Sequence, residues 1–495
     1  MTHTLASLTS EIEQLNMTGE AQTSIVQLSN DSRTCEPGTL FAAITGSQAD
    51  GRNYIDQALE LGASAILHDG TTNLSPDIPQ LIHPDPRRIL AYLASAFYGY
   101  PQKKLKAIAI TGTNGKSTVA AMCTTILRHS GAKVGLVNTI GIDINGQMQP
   151  TTHTTPDAIT LYSLLAEMVS QGCEWLVMEA SSHALDQHRL AGIEPEVALF
   201  TNLSRDHLDY HGDMGAYFQA KAKLFREHHP KLALLPASDA HAQALNAICR
   251  EQGVAVQNYG RVARQGVYAK QIQAAINGTK FIIQQKNNAA PVDLKIPGRF
   301  NLDNALAAAA ACLGIGLNLE TVAEGLNRFQ SVTGRVEHIQ EGQAFSVLVD
   351  FAHTPDALDR LLSSLRPLTR GKLWVVFGCG GDKDQGKRPH MGECAGRLSH
   401  FPIVTDDNPR SEDPAEIRRQ IMRGCRNRNV QEMEDRGDAI TYAIVNAQDG
   451  DTVVIAGKGH EQTQVGPNGA SPFNDSQMAR QALKGRAAMR QEHSH

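Results

Sequence analysis

The residue types that hold a polyphosphate occur together in one short segment, Gly112-Thr113-Asn114-Gly115-Lys116-Ser117-Thr118. Its glycines let backbone N–H groups approach phosphate oxygens, Lys116 supplies a positive charge, and the Ser117 hydroxyl is a ligand for Mg²⁺. The spacing GxxGK[ST] is shorter than the common GxxxxGK[ST] loop. An apolar run at 107–110 precedes the segment and a helical pattern at 119–129 follows it, which is the strand, turn and helix context of a phosphate loop. The pattern predicts a nucleotide phosphate site.

Candidate metal ligands follow two further strand patterns. The first pattern ends at Glu179, whose carboxylate could bind Mg²⁺, whereas the next serines, Ser181 and Ser182, could cap a helix. The spacing leaves both interpretations open. The second pattern leads into the loop 201–211, which contains two histidines and two aspartates, more than a loop needs for solubility.

The segment 217–225 has the pattern of an amphipathic helix with two lysines, Lys221 and Lys223. The residue types alone predict that both are solvated cations.

Four polar turns follow apolar, strand-like runs in the last third of the chain. They are residues 351–356, 378–382, 406–410 and 457–461. Ligands bind just beyond the carboxyl ends of strands in open α/β sheets, so the four turns predict a site at one edge of a sheet. The residues Asp407-Asn408-Pro409-Arg410 carry most of its charge, although Asn-Pro alone is also typical of a simple turn with a surface arginine.

The elements that position these residues form an α/β pattern throughout. At 495 residues, with 41% hydrophobic and 20% charged residues, the chain predicts about three globular domains and not a disordered protein. Strand and helix patterns alternate in residues 1–100, 101–333 and 334–495, which predicts a mostly parallel central sheet with helices on both faces. The polar segment 100–106 is typical of a linker, and a second boundary is expected near Gly334.

Charge and cysteine usage exclude several functional classes. The net charge is −5 and the basic residues are dispersed, which argues against a nucleic-acid surface or a polybasic membrane anchor. The eight cysteines form no CxxC pair and have no zinc-ligand spacing, so we expect reduced, mostly buried thiols. The sequence has no signal-peptide pattern and no apolar stretch of about 20 residues, which predicts a cytoplasmic protein.

Ten ordered motifs make the chain resemble the Mur ligase family nearly from end to end. They are Asp31-Ser32-Arg33, 112–118, 179–183, Asp206-His207, Ala220-Lys221, 298–304, Gly334-Arg335, 353–356, 407–410 and 457–461. Within the family, the chain is similar to the members that add meso-2,6-diaminopimelate to UDP-N-acetylmuramoyl-L-alanyl-D-glutamate. The resemblance implies a UDP-muramoyl-binding domain (1–100), an ATP-binding phosphate-loop domain (101–333) and a Rossmann-like, amino-acid-binding domain (334–495).

The reaction implied by the resemblance is an ATP-dependent ligation in cytoplasmic peptidoglycan precursor synthesis. ATP phosphorylates the free carboxylate of the UDP-linked dipeptide, the amine of the diamino acid attacks the acyl phosphate, and phosphate leaves as the amide forms. A carboxylate has no leaving group until phosphoryl transfer provides one, and Mg²⁺ together with Lys116 would offset the charge on the transferred group. We expect a monomer whose second and third domains close over the site.

The resemblance also implies roles around the nucleotide. Lys221 would be carbamylated by CO₂ and would bind a second Mg²⁺ beside His207, which replaces the solvated-cation interpretation; Lys223 does not match the motif and keeps it. Ser117 and Glu179 would serve the first Mg²⁺. The positions that would contact ATP from outside the phosphate loop are Asn301, Asn304, Arg335 and His353.

The two substrates would be held by two further sets of residues. Those matched to the UDP-muramoyl dipeptide are Asn30, Ser32, Ser47, Gln48, Ala49, His153, Thr154, Thr155, Ser181, Gln187 and Arg189. His153 and Asn30 depart from the family pattern, which expects an asparagine and an apolar residue there. Those matched to diaminopimelate are Arg388, Asp407, Asn408, Pro409, Arg410, Gly457 and Glu461. Lysine-adding relatives tend to have a small neutral residue at position 410, and an arginine is explained by the second carboxylate of diaminopimelate.

Two alternatives stay open. A lysine-adding homologue shares the central loop, and residues 407–410 argue against it. A phosphate-loop switch that hydrolyses nucleotide without ligation would have little use for the charged residues gathered in the last third of the chain.

Overall fold

The computed structural model describes residues 2–46, 49–151, 153–261 and 266–492. The first part of the chain forms a small two-stranded sheet, β1 with β3, and a five-stranded sheet in the order β2-β7-β6-β5-β4. Its elements are β1 His3–Thr4, α1 Leu5–Thr9, β2 Asn16–Thr18, β3 Ser24–Ile25, β4 Gln27–Ser29, β5 Thr39–Ala42, α2 Ile55–Glu60, β6 Ala63–His68, β7 Gln80–Ile82 and α3 Pro86–Phe97.

The middle part forms an eleven-stranded sheet with helices on both faces. Its strands are β8 Lys106–Thr111, β9 Val134–Val137, β10 Ile142–Ile144, β11 Gln147–Gln149, β12 Trp175–Glu179, β13 Val197–Phe200, β14 Leu232–Pro236, β15 Ala255–Tyr259, β16 Val267–Ala275, β17 Gly278–Gln285 and β18 Asn288–Leu294. Its helices are α4 Lys116–His129, α5 Ala158–Ser170, α6 Ser182–Asp186, α7 Leu208–His211, α8 Met214–Arg226, α9 Ala242–Glu251, α10 Arg299–Gly314 and α11 Leu319–Arg328.

The order of the middle sheet is β11-β10-β9-β12-β8-β13-β14-β15-β16-β17-β18. The central pairs from β9 to β15 are parallel, as the sequence predicts. Antiparallel additions at both edges, β10–β11 and β16–β18, were not predicted. Since β12, β8 and β13 are adjacent and parallel, the loops that follow them meet at one edge of the sheet.

The last part forms a six-stranded sheet in the order β19-β20-β24-β21-β22-β23 and a separate hairpin, β25–β26. The strands are β19 Glu337–Ile339, β20 Ser346–Asp350, β21 Leu373–Phe377, β22 Phe401–Val404, β23 Gln431–Glu432, β24 Thr452–Ala456, β25 Thr463–Gly466 and β26 Gly469–Pro472. The helices are α12 Pro355–Leu365, α13 Lys387–Leu398, α14 Pro414–Gly424, α15 Arg436–Asn446 and α16 Asp475–Glu492. The pairs among β20, β24, β21 and β22 are parallel, which brings the four predicted polar turns to one edge.

The hydrophobic core joins the first two parts more closely than the sequence suggests. One buried cluster runs from Leu5 through α3 to residues of α5 and α8, whereas the last part has two clusters of its own. The segment 100–106, predicted as a linker, contains a 3₁₀ turn at Pro101–Lys104 that packs near α5. The first part therefore packs against the middle part through one continuous apolar core.

This architecture confirms the predicted three-domain α/β fold. The domain boundaries at 100/101 and 333/334 stay predictions. All eight cysteines are free thiols and seven are buried, as expected. Across the described ranges, the helices include none that is long and apolar enough to cross a membrane.

Candidate active site

The phosphate loop connects β8 to α4, which begins at Lys116. Gly112 and Gly115 both have positive φ, and a Cβ at residue 112 would lie 1.9 Å from the Thr201 hydroxyl oxygen. At residue 115 a Cβ would lie 2.4 Å from Oδ1 of Asn304. The loop therefore needs glycine at these positions, because neighbouring side chains fill the space that a Cβ would occupy.

Lys116 folds back onto the loop. Its Nζ donates to the carbonyl oxygens of Gly112, at 3.1 Å, and Thr113, at 2.8 Å. Burial lowers the pKa of Lys116, because these carbonyls carry no full negative charge to offset the loss of solvent. A polyphosphate would supply that charge at the N-terminus of α4, so the loop fits the phosphates of a nucleotide.

The loop that follows β13 holds the phosphate loop in place. Thr201 donates its hydroxyl to the Asn114 carbonyl oxygen at 2.7 Å, and Oδ1 of Asn202 accepts from the Asn114 N–H at 3.1 Å. These contacts fix the conformation of the loop before a ligand binds.

Glu179 ends β12 next to the phosphate loop and is fully buried. Its Oε1 accepts from the Thr139 N–H at 3.0 Å, and the Thr139 hydroxyl donates to it at 3.2 Å. The Glu179 carboxylate and the Ser117 hydroxyl face one cavity, and oxygen ligands of these two types suit Mg²⁺. Ser181 meanwhile caps α6 by accepting from the Ala184 N–H at 3.2 Å, so both interpretations left open by the sequence fit the geometry.

Lys221 lies on α8 with only 1% of its surface exposed. Its Nζ donates to the Gly112 carbonyl oxygen at 2.7 Å and lies 4.4 Å from the centre of the Tyr217 ring. Burial lowers the pKa of Lys221 well below its ordinary value, and repulsion from Lys116 adds to this effect. The prediction of a solvated cation, made from residue type alone, is therefore wrong, because the helix turns this lysine into the core.

Lys223, two residues later, is the more exposed of the pair. Its Nζ contacts Oδ1 of Asp186 at 3.1 Å, and its side chain keeps 21% of its surface exposed. Lys223 is thus a partly exposed cation paired with Asp186, whereas the sequence predicted a cation surrounded by solvent.

His207 lies in a cluster of aromatic rings beside the phosphate loop. Its ring centre is 4.9 Å from that of His183, and its backbone has a φ of 53°. Partial desolvation lowers the pKa of His207, and repulsion from His183 acts in the same direction. A neutral imidazole is the form that binds a metal ion. Among the described residues, however, no group of three or more His, Cys, Asp or Glu side chains has a metal-binding arrangement.

The third part of the chain reaches the same cavity. Arg335 places Nη2 3.4 Å from the Ser117 hydroxyl, and its guanidinium stacks on Phe351, with 4.5 Å from Cζ to the ring centre. The buried Nε of Arg335 has no hydrogen-bond partner among the described residues, which leaves an N–H donor for an anionic ligand. Asn114 also donates to Asp356 across the domain boundary at 3.1 Å.

The cavity between the middle and last parts measures about 1030 Å³. The predicted residues that line it are 113–118, His153, Thr154, Thr155, Glu179, Ser181, Arg189, His207, Lys221, Asn301, Asn304, Arg335 and His353. Asn301 and Asn304 lie on α10, with a hydrogen bond of 3.2 Å between them. The volume and the mixed polar lining suit a nucleotide together with the reacting end of a second substrate.

Beside the cavity, Arg189 donates to the Thr155 carbonyl oxygen at 2.7 Å and to Oε1 of Gln187 at 2.8 Å. His153 is exposed.

In the first part, Ser32 is buried and donates to Oε1 of Gln57 at 2.6 Å, whereas Asn30 and Ala49 are exposed. Ser47 and Gln48 lie outside the described residues. The structure does not place Asn30, Ser32 or Ala49 on the wall of the cavity.

The predicted amino-acid residues form a separate cluster at the carboxyl edge of the last sheet. Asp407 and Asn408 are nearly buried, and Arg410 has a φ of 53° and donates to the Gly381 carbonyl oxygen at 2.6 Å. A Cβ at Gly457 would lie 2.7 Å from Oδ2 of Asp407, so glycine lets the two turns pack together. These residues are not part of the large cavity wall.

Arg388 lies beneath this cluster and is fully buried. Its two terminal nitrogens both contact Glu412 at 2.8 Å. This geometry suits a residue that supports the turn 407–410 through Glu412 more than one that touches a ligand.

Several residues in these sites were not identified from the sequence. Thr139 donates its N–H to Glu179, and the hydroxyl groups of Tyr217 and Thr113 form a hydrogen bond of 3.2 Å. Lys458 is buried at the centre of the amino-acid cluster. The only sequence feature that could have identified Lys458 as a site residue was its place in the glycine-rich turn after β24. No sequence feature identified Thr139.

Three family models match successive parts of the chain: "Mur ligase family, catalytic domain" over residues 24–98, "Mur ligase middle domain" over 110–312, and "Mur ligase, glutamate ligase domain" over 334–459. The chain belongs to the Mur ligase family. The segments 99–109 and 313–333 lie between the matches, and the boundaries at 100/101 and 333/334 stay predictions.

Relatives within the Mur ligase family cover almost the full length. The UDP-N-acetylmuramoyl-L-alanyl-D-glutamate--2,6-diaminopimelate ligase of Geobacillus kaustophilus is 42% identical over 472 residues, which is 93% of this chain and 95% of that protein. The enzyme of the same name from Gloeobacter violaceus is 41% identical over 466 residues, or 93% and 94%.

Solved structures agree with this assignment. The solved structure of a UDP-N-acetylmuramoyl-L-alanyl-D-glutamate--2,6-diaminopimelate ligase has a TM-score of 0.72 and 32% identity, covering 98% of this chain and 100% of the other. The D-alanyl-D-alanyl-adding Mur ligase of Acinetobacter baumannii has a TM-score of 0.63 at 20% identity, covering 92% of this chain and 95% of the other, which supports the fold alone.

Proposed function

We propose that this Mur ligase uses ATP to join meso-2,6-diaminopimelate to UDP-N-acetylmuramoyl-L-alanyl-D-glutamate, in the cytoplasmic synthesis of peptidoglycan precursors. The observation that carries the proposal is that a phosphate loop and a buried lysine lie opposite a second domain whose strand ends gather Asp407, Asn408, Arg410 and Glu461. The full-length relatives named for this reaction support the same substrates.

The phosphate loop, Arg335 and the α10 asparagines would hold ATP. The first phosphoryl transfer goes from ATP to the free carboxylate of the dipeptide and forms an acyl phosphate. Lys116 and Arg335 stabilise the charge on the transferred group, and Arg335 offers its unpartnered Nε–H for this purpose. Mg²⁺, when bound to Ser117 and Glu179, supplies further neutralisation of phosphate charge.

Lys221 would react with CO₂ to give a carbamate. Burial without a carboxylate partner favours the neutral amine, and only a neutral amine has the lone pair that attacks CO₂. The amine nitrogen would attack the carbon of CO₂, one C=O bond would open to give C–O⁻, and the amine proton would pass to solvent. The product would be an anionic oxygen ligand near His207. The anionic carbamate would also attract the ammonium group of Lys116.

The amine of diaminopimelate then attacks the acyl phosphate, an amide bond forms, and inorganic phosphate leaves. In the amino-acid cluster, carboxylates of Asp407 and Glu461 would bind an ammonium group and Arg410 a carboxylate. L-Lysine lacks the second carboxylate, so it would leave Arg410 unpaired and bind more weakly. The predicted UDP-muramoyl residues, from Ser32 to Arg189, remain part of this proposal.

Phosphate release by the purified protein tests the function, with ATP, Mg²⁺ and the UDP-muramoyl dipeptide present. The assay compares meso-diaminopimelate with L-lysine and follows the product by mass. We expect release and a mass gain with diaminopimelate alone. A mass gain with lysine would indicate the lysine-adding alternative, and phosphate release without any ligated product would favour a nucleotide switch.

A further inference from the structure

Lys458 is fully buried in the turn that follows β24, at the centre of the amino-acid cluster. Neither the phosphate chemistry nor the substrate contacts proposed above use it. Burying a lysine ammonium group destabilises the folded state unless its charge is compensated, so the partners of Lys458 indicate its role.

Its partners are two of the proposed substrate residues. Nζ of Lys458 donates to Oδ1 of Asn408 at 2.8 Å and to Oε2 of Glu461 at 2.7 Å. Asn408 closes the triangle by donating its Nδ2 to the same Glu461 oxygen at 2.8 Å. Charge-assisted hydrogen bonds of this kind are stronger than neutral ones, and the low dielectric of the interior strengthens them further.

The triangle fixes which way the Asn408 amide points. Its Oδ1 also accepts from the Val465 N–H in β25 at 2.9 Å, so this oxygen has two protein donors. The two partners together hold the amide oxygen inward and the NH₂ group beside Glu461. A ligand at this place would therefore meet N–H from Asn408 and carboxylate oxygen from Glu461, whose side chain is 33% exposed.

The same network joins three separate segments of the chain. Gln464 of β25 donates to the Asp407 carbonyl oxygen at 2.8 Å, and Arg410 donates its N–H to the Val465 carbonyl oxygen at 2.9 Å. The turn 407–410, the turn 457–461 and the hairpin β25–β26 thus share one set of hydrogen bonds. Lys458 is the buried cation within it.

We propose that Lys458 is a positioning residue for diamino-acid recognition: it holds Asn408 and Glu461 in the orientation that binds the substrate, without touching the substrate itself. This inference rests on the proposed function, because it assigns the cluster to the amino-acid substrate. Without the ammonium, Glu461 loses its anchor and the Asn408 amide loses one of the two donors that orient it.

The test compares Lys458→Met with Lys484→Met, an exposed lysine on α16 of the same domain. In Lys458→Met we expect the KM for diaminopimelate to rise about 10- to 100-fold, since hydrogen bonds to charged groups are worth about 1.5–3 kcal/mol. The KM for ATP should stay within about twofold in both variants. A thermal-shift titration should show that diaminopimelate no longer stabilises Lys458→Met while an ATP analogue still does.

A double-mutant cycle with Glu461→Gln tests whether Lys458 acts through Glu461. We expect Lys458→Met to raise the KM for diaminopimelate much less in the Glu461→Gln background than in the parent. Additive effects would contradict the proposal. Lys458→Gln provides a second substitution that keeps a hydrogen-bond donor and should raise this KM less than Lys458→Met.

The remaining outcomes are also decisive. Equal increases in both KM values, or loss of a cooperative thermal transition in both the Met and the Gln variants, would show a purely structural role and overturn the proposal. If the parent protein ligates diaminopimelate but Lys458→Met has an unchanged KM, only this inference fails. If the parent protein ligates no diaminopimelate, the proposed function itself fails.

Discussion

Two buried lysines, one in the middle domain and one in the last domain, have opposite surroundings. Lys221 meets a carbonyl oxygen and the face of Tyr217, whereas Lys458 meets a carboxylate and an amide oxygen. Burial is nearly the same, at 1% and 0% exposure. The comparison teaches that the partner, more than the depth of burial, decides whether a buried lysine is prepared to react or to hold other residues in place.

The difference extends to the two regions as a whole. Around the large cavity, Lys116 and Lys221 of the middle domain lie near Arg335 of the last domain, and Arg335 keeps a buried Nε without a partner among the described residues. In the last domain, Asn408, Glu461 and Lys458 satisfy one another. The proposed nucleotide region therefore has basic groups that an anionic ligand would pair with, whereas the proposed amino-acid region is already organised by its own hydrogen bonds.

The largest expected effect comes from removing Lys221, the lysine proposed to react with CO₂. Lys221→Ala should lower turnover by at least about 10²–10³-fold, the range seen when one electrostatic group is removed from an active site, and added bicarbonate should not restore it. The control is Lys223→Ala, whose partly exposed ion pair is worth at most about 1 kcal/mol, so turnover should change less than about fivefold. Phosphate release measures both. Full activity of Lys221→Ala would disprove the carbamate proposal.

The next effect tests the organised region. Arg410→Ala should raise the KM for diaminopimelate about 10- to 100-fold, because a charged hydrogen bond to the substrate carboxylate is lost. The KM for ATP should change far less. Steady-state kinetics with Arg423→Ala, an exposed arginine on α14, provides the control. Equal changes in both KM values for Arg410→Ala would indicate general destabilisation.

Thermal stability sharpens the comparison between the lysines. In CO₂-free buffer, Lys221→Met should raise the Tm, since burial lowers the pKa of Lys221 well below 10.5 and the unfolded chain binds a proton that the folded one does not. The gain should be largest at pH values below the folded-state pKa and should vanish above about pH 10.5. Lys458→Met should lower the Tm, because it removes the partner of Glu461. Calorimetry from pH 6 to pH 10 measures both, and a lower Tm for Lys221→Met at pH 7 would contradict the argument.

The smallest effect concerns a contact between the two regions. Arg205 of the middle domain contacts Asp384 of the last domain at 3.2 Å, with 61% of the arginine side chain exposed. Arg205→Ala should lower kcat/KM less than about fivefold, because an exposed ion pair contributes at most about 1 kcal/mol. A loss of a hundredfold or more would mean that this contact controls domain closure.

The strand-like runs that the sequence predicts before Glu179 and before the four polar turns are confirmed as β12, β20, β21, β22 and β24. The antiparallel strands β16–β18 were missed. Most residues of β16 are exposed, so this part of the sequence resembles a loop. Likewise, nothing in the spacing of Lys221 distinguishes it from Lys223. Only the packing of α8 shows which of the two points into the core.

The sequence by itself determined the reaction class and the family, because the phosphate loop and the ordered motifs along the chain are short segments that can be recognised without knowing how they pack. Tertiary structure alone decided the environment of each lysine. Lys221 meets a loop about a hundred residues earlier in the chain, and Lys458 meets Asn408 about fifty residues earlier. Such contacts depend on how the strands are ordered in each sheet, and that order fixes the charge, the partners and the solvent exposure that local sequence leaves open.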